Sequence, residues 1–145
     1  MSRPYVIDTS VVVAGPLTAR AEAPTARILD AMIAADFVFL LSDALLTEYR
    51  RVLMRPKIRT RHGLSEGEVD ALLESIAENA AIREPGAPST LPPDPADAHL
   101  WALLECEPKA VLVTGDEPLL ENPPGKGAVC APAVFVESVL ARDER

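Results

Sequence analysis

Two short apolar runs that each lead into an aspartate constrain this chain more than any other feature. Tyr5-Val6-Ile7 is closed by Asp8, and Val111-Leu112-Val113 runs through Thr114-Gly115 to Asp116. Unbroken apolar runs, without the alternation of a half-exposed strand, read as buried strands of a parallel sheet. In an open α/β sheet the ligand crevice lies beyond the carboxyl ends of the strands. Asp8 and Asp116 are therefore expected to meet at one end of the sheet.

Strand and helix signals alternate along the rest of the chain. Strand 1 is expected over Pro4–Asp8, followed by an apolar, partly helical stretch Ser10–Leu17 and an amphipathic helix over Thr25–Ala35 with Pro24 near its start. Phe37–Leu41 reads as strand 2. Ser42-Asp43 offers an N-cap to a helix over Ala44–Leu53, which Pro56 stops, and Ser65-x-x-Glu68 is a capping box for a helix reaching Asn79. A short strand at Ala80–Arg83 precedes a segment, Glu84–Pro95, with five prolines in twelve residues, too many for a regular element. Asp94 opens a helix to Glu105, Val111–Thr114 is a strand, Gly127–Cys130 a last edge strand, and Pro132–Arg142 a C-terminal helix. This alternation predicts a three-layer α/β/α fold, with a central, mostly parallel sheet of about 4–5 strands, helices on both faces and right-handed crossovers.

A length of 145 residues fits a single domain spanning 1–145, and 48% hydrophobic with 25% charged residues is the balance of an ordinary soluble protein. The N-terminus runs into strand 1 without the apolar core of a secretory signal, and no apolar stretch is long enough to span a membrane, so a cytoplasmic location is expected. Cys106 and Cys130 then read as reduced thiols, without zinc-ligand spacing around them. His62 and His99 stand isolated in the sequence and support no histidine-based triad.

A net charge of −8 ordinarily disfavours a nucleic-acid partner, but the charge is segregated. Residues 50–61 carry six of the fourteen Lys and Arg residues and no acid, whereas 63–84 carry six acids against the single Arg83. Such a run is either a solvated helix face or a basic rim that steers a polyanion toward an acidic centre.

Two further acids join Asp8 and Asp116. Glu48 lies within the apolar stripe Leu45, Tyr49, Val52 and Leu53, so it faces the core, where an unpartnered charge costs several kcal/mol. Asp97 begins the inward-facing series Asp97, Leu100, Trp101, Leu104. Each acid also has a plain structural explanation. Asp8 suits a helix N-cap and Asp116 a turn after Gly115; Glu48 suits a salt bridge to Arg51 or Arg27, and Asp97 a capped helix start after Asp94-Pro95. Four carboxylates in one crevice would repel one another, and one or two divalent cations keep them ionised most economically. An all-oxygen donor set favours Mg²⁺ or Mn²⁺ over zinc or copper, and such sites commonly carry out phosphoryl chemistry.

The ordered set Val6-Ile7-Asp8-Thr9-Ser10, Leu45-Leu46-Thr47-Glu48-Tyr49-x-x-Val52-Leu53, Asp94-Pro95-Ala96-Asp97-Ala98 and Leu112-Val113-Thr114-Gly115-Asp116-x-x-Leu119-Leu120 resembles the PIN domain. More narrowly it is similar to the PIN-type toxin components of bacterial toxin-antitoxin systems. Pro132-Ala133-x-Phe135-Val136-Glu137 extends the resemblance to a terminal strand-helix junction. The resemblance implies a Mg²⁺- or Mn²⁺-dependent ribonuclease that leaves a 5′-phosphate and a 3′-hydroxyl. Asp8, Glu48, Asp97 and Asp116 match the four acids of the family as metal-binding and catalytic residues. Ser10 and Thr114 would support the first acid or the phosphate, and Arg50 and Arg51 of the basic run would meet the RNA. It also implies a homodimer and a small antitoxin that places a basic side chain in the acidic site.

The sequence departs from the family pattern in two places. Ser10 stands where Asn is usual, and Glu117-Pro118 follows Asp116 where another acid or polar residue is common, so a second metal is less secure than the first. A PIN-fold binding or scaffold protein is the competing reading. A haloacid-dehalogenase-like phosphatase would need a second Asp two residues after Asp8, where this chain has Ser10. A receiver domain would need an acidic pair after strand 1.

Overall fold

The structure is a computed structural model that describes residues 3–124 and 128–141. The five strands among the described residues are all short and all pair in parallel. β1 (Tyr5–Ile7) pairs with β4 (Val111–Val113), β4 pairs with β5 (Ala128–Cys130), and β2 (Leu40–Leu41) pairs with β3 (Ala81–Ile82). A parallel bridge between Tyr5 and Phe39 joins the two groups, giving the order β3-β2-β1-β4-β5. β1 and β4 are thus central, and Val6, Ile7, Leu112 and Val113 are fully buried. The strand-end acids follow from this register. Ile7 is level with Val113, and the Asp8 amide continues the ladder by donating to the Val113 carbonyl at 2.9 Å.

The expected three-layer α/β/α architecture is the one observed. α1 (Thr9–Leu17) starts directly at Asp8, whose carboxylate caps the Thr9 amide, and α2 (Pro24–Ile33) begins at a proline. α3 (Asp43–Leu53) is capped by Ser42 Oγ on the Leu45 amide and buries Leu45, Tyr49 and Leu53. α5 (Glu66–Asn79) carries the anticipated capping box, with Ser65 and Glu68 each satisfying the other's backbone amide. A single 3-10 turn, Pro95–Asp97, leads into α6 (Ala98–Glu105), and α8 (Pro132–Phe135) continues as a π turn over Val136–Leu140. No helix among the described residues is long and apolar enough to cross a membrane.

Several boundaries differ from the sequence expectation, each for a local reason. Strand 2 is confined to Leu40–Leu41 because Phe37 leaves the ladder for an aromatic cluster with Tyr5, Phe39 and Phe135, at ring-centroid distances of 6.0, 5.6 and 4.9 Å. Pro56 does not merely end α3. It occupies the first turn of a separate helix, α4 (Pro56–His62), where its missing amide hydrogen is harmless, and the helix stops at Gly63 in the left-handed region with φ 69°. Pro118 does the same for the short α7 (Glu117–Glu121), which the sequence reading omitted. Of the expected elements, Gly127 and Arg142 lie outside the described residues.

Tyr49 ties α3 to the central strand, since its fully buried hydroxyl donates to the Ile7 carbonyl one residue before Asp8. Replacing it with Phe keeps the ring and strands that carbonyl. Urea unfolding of Tyr49→Phe should show a loss of roughly 1–2 kcal/mol with an unchanged m-value.

Candidate active site

The two strand-end acids meet through one hydroxyl. Asp8 Oδ2 accepts from Thr114 Oγ1 at 2.7 Å and from Ser10 Oγ at 3.0 Å, and Asp8 Oδ1 accepts from the Thr9 amide at 2.9 Å. Thr114 Oγ1 in turn accepts from the Asp116 amide at 3.0 Å. Thr114, wholly buried, therefore links the end of β1 to the turn that carries Asp116. Asp8 is only 6% exposed. Burial pushes its carboxyl above the ordinary aspartate value, the donors from Thr114, Ser10 and Thr9 pull the other way, and the negative charge of Glu48 adds to the rise.

Glu48 enters from α3. Its Oε1 accepts from the Thr9 hydroxyl, and its Oε2 lies 2.9 Å from His99 Nε2 on α6. These contacts take the place of the salt bridge to Arg51 or Arg27 entertained from sequence. They also correct the reading of His99 as an isolated residue. α6 is buried along Leu100–Leu104, and a helix apolar all round is buried all round. That signal would have turned His99 inward.

Asp97 completes the group at the junction of the 3-10 turn and α6. Its carboxyl is raised to about 6, first by burial and then by the charges of Asp8, Asp94, Glu48 and Asp116. Asp97 thus feels all three of the other sequence-selected acids. Asp8, Glu48, Asp97 and Asp116 line one cleft of about 570 Å³ together with Thr9, Ser10 and Gly115, and Val11, Leu17 and Val52 add apolar surface to its lining.

The basic residues behave differently from the acids. Arg50 is held on the surface by Asp70 at 2.8 Å and Glu66 at 2.8 Å, both on α5, and does not line the cleft. Arg51 is exposed and also stands outside it.

Among the described residues, no group of three His, Cys, Asp or Glu side chains forms a ready-made metal shell. The donor chemistry nonetheless suits a hard divalent cation. Four carboxylates share one cleft, their mutual repulsion is visible at Asp97, and Mg²⁺ usually keeps several waters while using only one or two protein carboxylates.

The sequence profile of the PIN domain family matches residues 4–117, a span that includes all four acids, and the chain belongs to that family. PIN domains are generally nucleases that use divalent metal ions. No curated protein matches the chain at a significant level. β5 and the C-terminal helical segment lie beyond the matched span, although Pro132 contributes to the cleft wall.

The raised Asp97 carboxyl carries a stability consequence. Folded Asp97 keeps its proton up to about pH 6, whereas an unfolded aspartate releases it near 3.9, so the folded state binds more protons across that window. The contribution of Asp97 to the stability of the metal-free protein therefore falls as pH rises from about 4 to 6. Asp97 makes no capping hydrogen bond, so Asp97→Asn removes the charge without losing one. In EDTA at pH 7 the variant should be more stable by roughly 1 kcal/mol, a figure discounted for solvent screening of a partly open side chain, and the gain should vanish below about pH 4 in thermal melts.

Proposed function

We propose that this chain is a divalent-metal-dependent ribonuclease, the toxin of a toxin-antitoxin pair. The observation that carries the reading is the cleft at the carboxyl end of β1 and β4, where Asp8, Glu48, Asp97 and Asp116 lie within electrostatic reach of one another. Asp8, Asp97 and Asp116 would hold a Mg²⁺ or Mn²⁺ ion, partly through water, with Glu48 beside it. When bound, such an ion lowers the pKa of a water nucleophile and stabilises the leaving oxygen of a phosphodiester. The protein's own part is to keep Asp8 fixed and ionised, through the hydroxyls of Thr114 and Ser10 and the Thr9 amide. Glu48 is held with both oxygens engaged, available to orient water.

A polyanionic substrate is supported by α4. Arg55, Lys57, Arg59 and Arg61 are exposed there, and none has an ion pair among the described residues. α4 packs against α1, whose residues Ser10, Val11, Ala14 and Leu17 line the cleft, so its cations are one helix removed from the acids, where a bound strand of RNA would meet them. Arg50, already neutralised by Asp70 and Glu66, has less to offer a phosphate. A second copy of the chain and an antitoxin that sets a basic side chain among the four acids are the partners this reading expects.

The test is cleavage of a mixed RNA pool by purified protein in Mn²⁺. Activity should disappear in EDTA and return with added Mn²⁺ or Mg²⁺. Asp8→Asn should lose roughly 100-fold or more in rate. Equal cleavage by Asp8→Asn and the parent would place the activity elsewhere, and a pure, folded parent that binds RNA without cutting it would favour the binding or scaffold alternative.

A further inference from the structure

Glu48 stands where electrostatics alone would not keep it. Its carboxylate shares the cleft with Asp8, Asp97 and Asp116, and it adds to the charge that raises both Asp8 and Asp97. Like charges at close range push a long, flexible glutamate side chain away from its neighbours and toward water. Something must hold it in. Its two oxygens are engaged from opposite sides, Oε1 by the Thr9 hydroxyl and Oε2 by His99 Nε2 at 2.9 Å. An ionised carboxylate only accepts hydrogen bonds, so the His99 ring must present Nε2–H to it.

The two donors come from the segments that carry the other acids. Thr9 is adjacent to Asp8, and His99 lies two residues beyond Asp97, so Glu48 on α3 is pinned between the start of α1 and the start of α6. The other ring nitrogen, His99 Nδ1, is buried and has no hydrogen-bond partner among the described residues. A histidine serving only the core would be satisfied on both sides, because an orphaned buried polar atom destabilises the fold. The one hydrogen bond this ring makes is directed at Glu48.

We propose that His99 is a positioning residue that holds the Glu48 carboxylate toward the cleft, and that it thereby sets how tightly the site takes a divalent cation and its water. The inference rests on the metal-nuclease reading above. It assigns His99 no proton transfer and no direct contact with cation or substrate.

Side-chain reach allows a discriminating test. Gln extends an amide nitrogen about as far as imidazole Nε2, whereas the Asn amide ends near the position of Nδ1 and falls short of Glu48. His99→Asn and His99→Phe should weaken Mn²⁺ binding, read by isothermal titration calorimetry, and lower kcat on a short RNA, each by about tenfold or more, with KM little changed. His99→Gln should restore most of what His99→Asn loses. In a Glu48→Ala background, His99→Asn should have almost no further effect on Mn²⁺ affinity, because the group it acts through is gone. Thermal melts in EDTA identify any variant that has simply failed to fold, and the comparison is read on the folded ones.

Mn²⁺ affinities unchanged in His99→Asn and His99→Phe would overturn the proposal while leaving the nuclease reading intact, as would losses that add in full to that of Glu48→Ala. A parent that binds Mn²⁺ yet cuts no RNA would remove the nuclease reading, and the calorimetric contrast between Gln and Asn would still decide the role of His99. A parent that takes up no Mn²⁺ would overturn both.

Discussion

Asp8 is a carboxylate almost sealed from water at the end of the innermost strand, and it is sustained there by three hydrogen-bond donors that arrive from two places. The Thr9 amide comes from the first turn of α1, the Ser10 hydroxyl from the same turn, and the Thr114 hydroxyl from the end of β4. Burying a charge without such partners would cost much of the stability of a domain this size. The parallel pairing of β1 with β4 brings the Thr114 hydroxyl within 2.7 Å of Asp8, and Thr114 then draws in the Asp116 amide. Register, buried charge and cleft are thus one arrangement.

Part of the electrostatic cost of that arrangement falls on the more open Asp97. Asp8 has three donors and Glu48 has two, whereas Asp97 has no capping bond and stands in the field of Asp8, Asp94, Glu48 and Asp116. Its carboxyl rises accordingly. A cleft that strains one acid in the absence of a cation is relieved when positive charge enters, which is the physical sense in which these residues suit a divalent ion. The same crowding explains why Glu48 needs to be gripped from two sides, by Thr9 and His99, instead of simply pointing inward.

Much of this is legible in the sequence. Apolar runs marked β1 and β4, Ser42 and the Ser65/Glu68 pair marked the starts of α3 and α5, and helical spacing turned Glu48 and Asp97 inward. Pro24, Pro95 and Pro132 mark element starts as expected, whereas Pro56 does more than end α3. Pro56 and Pro118 each open a helix, because a proline in the first turn forfeits no hydrogen bond; Pro56 taken as a stop leaves out α4, and α7 has no counterpart among the elements expected from sequence. Phe37 looked like strand and is instead held in an aromatic cluster whose members, Tyr5 and Phe135, are remote in sequence.

Local composition and periodicity determined the parallel α/β class, the strand ends at which acids collect and the residue types that favour a hard cation, because those depend on a few neighbouring side chains and on helix and strand repeats. Which hydrogen bonds hold each acid depended on the tertiary structure. Thr114 to Asp8 spans 106 residues, Thr9 to Glu48 spans 39 and His99 to Glu48 spans 51. No periodicity reaches across such intervals. His99 is an isolated histidine in one dimension and a partner of Glu48 in three, because only packing of α6 against α3 brings the ring to the carboxylate.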